Sequence, residues 1–323
     1  MTRPVPIANA LADRVLAGDP RAVARGLTLV EDGSAAGLAL LAALYPHTGK
    51  GWTLGITGAP GAGKSTLVDQ IARVLRARGT SVGILAVDPT SPFTGGAVLG
   101  DRVRMQGHAG DPGVFIRSMA TRGHLGGLSR STTDAALVLE AAGRQCVIIE
   151  TVGVGQAEVE IARAADVCVV TLVPGTGDEI QALKAGIMEI ADVFVVNKSD
   201  REGADRMVSA VESALSLAPA APGAWVPPVL KTEATRGTGV ETLVETIDAF
   251  RQQEGPALET RRLARSSQRV RDLLSAAFLR RVDLEMTPEE WQEVYARVAR
   301  RELDPHAAAI QLLEQVCGRN PDE

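Results

Sequence analysis

The chain has 323 residues, of which 45% are hydrophobic and 23% charged, with a net charge of -5. That length buries a full core, and the acidic balance supplies no basic footprint, which argues against nucleic acid as a main partner. No apolar run approaches the roughly 20 residues of a membrane span, and residues 1 to 12 lack a charged-then-apolar leader, so the chain reads as cytoplasmic with no membrane partner.

Residues 1–50 read as a helical segment. Asp19-Pro20 is an N-cap followed by proline at the first helical position, ahead of Ala22, Val23, Leu27 and Val30 at helix spacing. A second helix is expected from Ser34 through Leu38, Leu41 and Leu44. Over residues 51–254 apolar strands alternate with helical patterns. Strands are expected at Trp52 to Thr57, Val82 to Val87, Val114 to Ile116, Cys146 to Ile149, Val167 to Val173, Val193 to Val196 and near Val229-Leu230. Helices are expected after Lys64, over Thr132 to Ala142, Glu158 to Ala164 and Glu179 to Glu189, after Asp200, and over Glu241 to Phe250. Strands that are almost continuous Val, Ile and Leu, alternating with helices, predict an α/β fold: a mostly parallel, doubly wound sheet covered on both faces. Strand signals stop at Gly255-Pro256. Residues 255–323 then read as a helical arm, with Leu263, Val270, Leu274 and Phe278 on one helix, a capping box at Thr287-Pro288-Glu289-Glu290, and Asp304-Pro305 opening a last helix. So short a tail has little core of its own and is expected to pack on the main domain or on a second subunit.

The cysteines Cys146, Cys168 and Cys317 are odd in number, show no C-x-x-C spacing and read as buried reduced thiols. His47, His108, His124 and His306 form no ligand cluster, so any metal is expected to be a hard ion held by oxygen.

Gly58-Ala59-Pro60-Gly61-Ala62-Gly63-Lys64-Ser65-Thr66 fits G-x-x-x-x-G-K-[ST] in full, between an apolar strand and a helix carrying Leu67, Val68, Ile71, Val74 and Leu75 on one face. A strand turning through glycines into a helix N-terminus presents converging backbone N–H groups and the positive end of the helix dipole to a polyphosphate. Lys64 is expected to reach the β- and γ-phosphates, and Ser65 to ligate Mg2+. Taken alone, such a loop is also a tight turn; strand, pattern and helix together favour the P-loop.

Asn197-Lys198-Ser199-Asp200 follows a buried strand and matches N-K-x-D. The Asp carboxylate suits guanine N1–H and the exocyclic amine, the Asn amide the O6/N7 side, and the Lys stem the ring; adenine would leave the carboxylate unpaired. The bland alternative is a strand-to-helix turn with an N-cap Asp. Glu233-Ala234-Thr235 stands where small-residue S-A-x loops contact the base; Glu233 departs from the common Ser, and a backbone N–H contact to guanine O6 survives that change. Asp88, Asp101 and Glu150 are carboxylates between these elements. At C-terminal strand ends Asp88 and Glu150 would face Mg2+ and the γ-phosphate; Asp88 also suits a turn before Pro89, and Asp101 a helix cap.

These elements, with Asp88-Pro89-Thr90-Ser91 through Asp101-Arg102, Gly123-His124-Leu125-Gly126-Gly127, Glu150-Thr151-Val152-Gly153-Val154-Gly155-Gln156 and Pro174-Gly175-Thr176-Gly177-Asp178-Glu179, resemble the MeaB/ArgK-type P-loop GTPases across the whole α/β domain. The most specific parts are Glu150-Thr151-Val152-Gly153, where ordinary G proteins carry D-x-x-G, and the block from Asp88 to Asp101. The resemblance implies a GTP-hydrolysing chaperone of an adenosylcobalamin-dependent acyl-CoA mutase, chiefly methylmalonyl-CoA mutase, that gates cofactor delivery from an adenosyltransferase and works as a homodimer through its C-terminal arm. It also implies Mg2+-site or switch roles for Asp88, Asp101 and Glu150, and a further switch over Pro174 to Glu189 that includes Lys184. Val154 occupies the position where Ras-like proteins place a water-orienting Gln, so hydrolysis is expected to be slow alone and partner-stimulated, with Gln156 and Lys184 as candidate substitutes. Two other readings stay open: an ATPase or kinase coupled to basic amino-acid transport, against which the base reader argues, and a metallochaperone GTPase, whose His-rich or Cys/His metal sites are not seen. Cobalamin itself is not expected to bind tightly, because no D-x-H-x-x-G pattern is present.

Overall fold

A computed structural model describes residues 6–88, 106–108, 110–120, 129–151, 160–161, 164–175, 187–217 and 223–318. The chain divides into two compact units, residues 1–259 and 260–323.

The first unit is built on seven strands: β1 (Trp52–Thr57), β2 (Val82–Asp88), β3 (Val114–Ala120), β4 (Cys146–Glu150), β5 (Val167–Leu172), β6 (Val193–Asn197) and β7 (Val229–Thr232). They form one sheet in the order β3-β2-β4-β1-β5-β6-β7, every pair parallel. The expected alternation is therefore realised as a wholly parallel sheet. β3 runs four residues beyond Ile116, through Arg117 and Ser118, which no apolar pattern announced. It is an edge strand, half-buried along most of its length, so its pairing with β2 does not require apolar residues throughout. Of the helix expected over Glu179 to Glu189, residues 187–189 form a single 3-10 turn and the remainder lies outside the described residues. The helix expected over Glu158 to Ala164 also lies mostly outside them.

Alternate strand residues fill two opposite cores, as the period of two dictates. Trp52, Leu54, Ile56, Cys146 and Ile148 pack with Leu67 and Ile71 of the Lys64–Ala77 helix and with Leu243, Ile247 and Phe250 of the Val240–Gln253 helix. Val147, Ile149, Leu85 and Val87 face the other way. They meet Leu139 of the Ser129–Ala141 helix, and the same core holds Val15, Val23, Leu27 and Leu40 from α1 (Pro6–Leu16), α2 (Pro20–Glu31) and α3 (Ala35–Leu44). The N-terminal helices thus belong to the core of this unit. Asp19 caps α2 by accepting from Arg21 N and Ala22 N at 2.9 and 3.2 Å, and Ser34 caps α3 by accepting from Gly37 N at 3.1 Å. Beneath the sheet's other half, Phe194 and Val196 pack on Met207 and Val211 of the Ala204–Ser216 helix.

The second unit continues the Gly255–Glu285 helix and adds helices Pro288–Ala299 and Pro305–Gly318. The capping box forms in both directions: Thr287 N donates to Glu290 Oε2 at 2.8 Å, and Glu290 N to Thr287 Oγ1 at 3.2 Å. Asp304 likewise accepts from His306 N and Ala307 N at 2.9 and 3.0 Å. Its core is small, with Val282 and Met286 buried against Phe278, Trp291, Val294 and Leu312. Among the described residues no helix is long and apolar enough to cross a membrane.

Candidate functional site

The carboxyl ends of parallel strands border the crevice where α/β folds bind ligands. Here β1 sits between β4 and β5 and delivers the glycine loop to that end. Gly58, Gly61 and Gly63 take φ values of 135°, 76° and 86°, the left-handed region open to glycine. Two of these positions also exclude any side chain. A Cβ on Gly58 would stand 2.0 Å from Thr171 O of β5, and one on Gly63 would stand 2.5 Å from Asn197 Nδ2 of β6. The pattern's outer glycines are therefore required by close approach as well as by backbone conformation. Gly63 is the N-cap of the Lys64–Ala77 helix and gives it no side-chain cap, and the N-terminus of a helix is a surface whose N–H groups and dipole suit an anion.

Lys64 is almost fully buried, 6% exposed, and its Nζ donates to Gly58 O at 2.7 Å and Ala59 O at 2.9 Å. The ammonium thus lies within the loop it follows. Ala62 N donates to Ala59 O at 3.1 Å, a turn that leaves Ala59, Pro60 and Gly61 at the surface. Ser65 donates from Oγ to Glu150 Oε1 at 2.6 Å, and both side chains are buried. The first turn of the Lys64–Ala77 helix and the end of β4 therefore place a hydroxyl and a carboxylate side by side. Thr66 is half-buried beside them in sequence. Next to Glu150, Thr151 shares a hydrogen bond with Thr57 Oγ1 at 3.0 Å and donates from its N–H to Ile56 O at 3.1 Å, which fixes the end of β4 against β1.

The Asn-Lys-x-Asp stretch reaches back to the same loop. Asn197, 1% exposed, donates from Nδ2 to Ala62 O at 2.8 Å, and Lys198 donates from Nζ to Gly61 O at 2.7 Å. Asn197 Oδ1 accepts from Thr232 Oγ1 and from Ala234 N, each at 3.1 Å. Lys198 takes a φ of 56°, an uncommon conformation for a side-chain-bearing residue, which turns the chain so that Asp200 stands exposed at the rim. Ser199 N donates to Thr232 O at 3.0 Å, tying this turn to the end of β7. Three stretches far apart in the chain, residues 58–66, 197–200 and 232–235, are thus joined at one strand-end surface. Thr235 is exposed there, and Glu233 is paired with Arg236.

Sequence reasoning missed Thr232, whose hydroxyl orients the Asn197 amide, and the Thr57–Thr151 pair. A threonine at the last position of an apolar strand, next to a loop with a candidate site, was the available signal. Asp88 is the last residue of β2, paired in register with Ala120; its side chain lies outside the described residues, as do Asp101, Gln156 and Lys184. Pro174 and Gly175 form a turn after β5, and residues 176–186 also lie outside.

A parallel sheet whose first strand turns through glycines into a lysine-bearing helix, clasped from two strands away by Asn197 and Lys198, defines a P-loop nucleoside triphosphatase of the GTPase branch. More narrowly, the chain belongs to the methylmalonyl-CoA mutase-associated GTPases of the MeaB type, whose family model matches residues 23–287. A provisionally named GTPase of Pyrococcus horikoshii is 46% identical over 313 residues, covering 96% of this chain and 98% of that one. GTPase ArgK of Escherichia coli is 40% identical over 245 residues, 74% of each chain. The mouse mitochondrial methylmalonic aciduria type A homolog is 39% identical over 203 residues, 62% of this chain and 49% of that protein. Among solved structures, one described as a LAO/AO transport system kinase matches with a TM-score of 0.73 at 28% identity, over 98% of this chain and 99% of that one.

Proposed function

We propose that this GTPase is a chaperone of an adenosylcobalamin-dependent acyl-CoA mutase, with methylmalonyl-CoA mutase as the leading client, gating cofactor loading from an adenosyltransferase and protecting or rescuing the mutase. The family's description and the name of the mouse relative support the client. The nucleotide reading rests on one observation above all, the clasp of Asn197 and Lys198 on Ala62 and Gly61. A base-reading strand end bonded to the phosphate loop measures a guanine nucleotide from both ends at once.

In this reading backbone N–H groups of the loop from Gly61 to Thr66 cradle the phosphates. Lys64 exchanges its bonds to Gly58 O and Ala59 O for phosphate oxygens; Asn197, Lys198 and Asp200 take the base, with Ala234 N and the Glu233-Ala234-Thr235 turn at its O6 side. Ser65 and Glu150 fit a hard cation, because two buried oxygen donors already stand 2.6 Å apart. They would hold Mg2+ together with Asp88 and Asp101. When bound, the ion neutralises charge on the transferring phosphoryl group. The chain's own residues then position GTP and exclude adenine. With Val154 in place of a water-orienting Gln, turnover is slow until the mutase supplies or orders the missing group. The exposed stripe Leu263, Val270 and Leu274 supports a homodimer formed through the helical arm.

A purified methylmalonyl-CoA mutase added to the full chain is expected to form a complex and to raise GTP turnover from about 0.01 per second or less. Neither complex nor stimulation, with any of the methylmalonyl-, isobutyryl- or ethylmalonyl-CoA mutases, would remove the chaperone reading while leaving the GTPase in place.

A further inference from the structure

Glu233 is an unexpected neighbour for a guanine site. It follows the last residue of β7, its side chain is only 16% exposed, and its Oε1 lies 3.1 Å from Nε of Arg236, three residues on, whose own side chain is 76% exposed. The backbone holds this pair in a tight turn: Glu233 N donates to Thr238 O at 3.0 Å, and Arg236 N donates to Glu233 O at 3.0 Å. The residues on either side of Glu233 are bonded to the base-reading stretch. Thr232 O accepts from Ser199 N at 3.0 Å, and Ala234 N donates to Asn197 Oδ1 at 3.1 Å. The Glu233 turn is therefore stitched alongside Asn197 to Asp200.

Chemistry makes that placement hazardous. Asp200 reads guanine as a hydrogen-bond acceptor, and a second carboxylate in a turn bonded to the same stretch is a rival acceptor for the same N–H donors. A cation held on the second carboxylate removes that competition. We infer that Arg236 is a positioning residue of the guanine site: it holds and neutralises Glu233, so that Asp200 alone presents negative charge to the base. This rests on the assignment of Asp200 to the base made above. It adds a residue that no pattern of glycines or Asn-Lys-x-Asp would select.

The test measures binding of fluorescent GDP with Mg2+ to the full chain, with a fluorescent ADP as control, in four proteins: wild type, Arg236→Ala, Arg236→Lys, and the double variant Glu233→Ser/Arg236→Ala. Arg236→Ala is expected to weaken GDP about tenfold at low salt, with the loss shrinking as salt screens the exposed charges. Arg236→Lys recovers most of the affinity. The double variant returns to within about twofold of wild type, because removing Glu233 removes the need for its cation. A merely structural role for Arg236 would give no such rescue, and unchanged thermal midpoints confirm that all four proteins fold. Wild-type affinity in Arg236→Ala, or a double variant as weak as Arg236→Ala, overturns the inference and leaves the guanine reading standing. A wild-type chain that binds ADP as tightly as GDP overturns the guanine reading, and this inference with it.

Discussion

The two compact units place their apolar side chains in opposite ways. In residues 1–259 the large ones are inside, and Phe194, Phe250, Leu54 and Ile71 are all fully buried. In residues 260–323 Leu263, Val270, Leu274, Leu279 and Leu284 are each more than 60% exposed, while the buried core is little more than Val282 and Met286. The difference follows from size, because a short helical segment cannot enclose a core that a seven-stranded sheet encloses easily. It also separates two tasks. In the first unit the described strand-end stretches are bonded to one another through Ala62, Asn197 and Thr232, and the second unit leaves large apolar side chains exposed.

The largest effect that sharpens this contrast is Phe194→Ala, which empties a fully buried site and is expected to cost the first unit about 3–5 kcal/mol in denaturant unfolding. A cost below about 1 kcal/mol would mean that this core is not close-packed. Lys64→Ala comes next: it leaves the fold intact and lowers GTP turnover by at least about 100-fold, the loss expected when a cation facing developing phosphate charge is removed. Thr232→Val takes away one of the two bonds on Asn197 Oδ1 and is expected to cost about 1 kcal/mol, with a few-fold loss in GDP affinity. Leu274→Ala, at a 68% exposed position, should change unfolding of the dilute chain by no more than about 0.5 kcal/mol while weakening self-association in sedimentation. A large destabilisation there would break the comparison. Smallest is the response of Cys146. Burial pushes its thiol well above the usual range, so the native protein should leave it unlabelled by iodoacetamide at neutral pH and expose it only on unfolding.

Much of this was legible beforehand, because it is written in periodicity and local chemistry. The Trp52 to Thr57 and Cys146 to Ile149 runs announced strands buried on both faces, and Asp19-Pro20 and Thr287 to Glu290 announced helix starts; each is formed by side chains a few residues apart. The glycine loop and the Asn-Lys-x-Asp stretch were visible for the same reason. What could not be read was the bonding between them. The contacts from Asn197 to Ala62 and from Thr232 to Asn197 span 135 and 35 residues, and no local pattern encodes such pairs. β3 escaped in part because an edge strand tolerates Arg117, whose Nη2 donates to Glu31 Oε2 of α2 at 2.9 Å. The Glu233–Arg236 pair was half visible: the departure from serine stood out, but its cation did not.

The most direct test of the account is turnover of GTP against ATP by the full chain, under identical Mg2+ and with single-turnover sampling so that a slow rate is not lost. The clasp between the base-reading strand end and the phosphate loop predicts hydrolysis of GTP, with ATP slower by a factor of about 10^4. Equal turnover of the two nucleotides, or turnover of ATP alone, would contradict it.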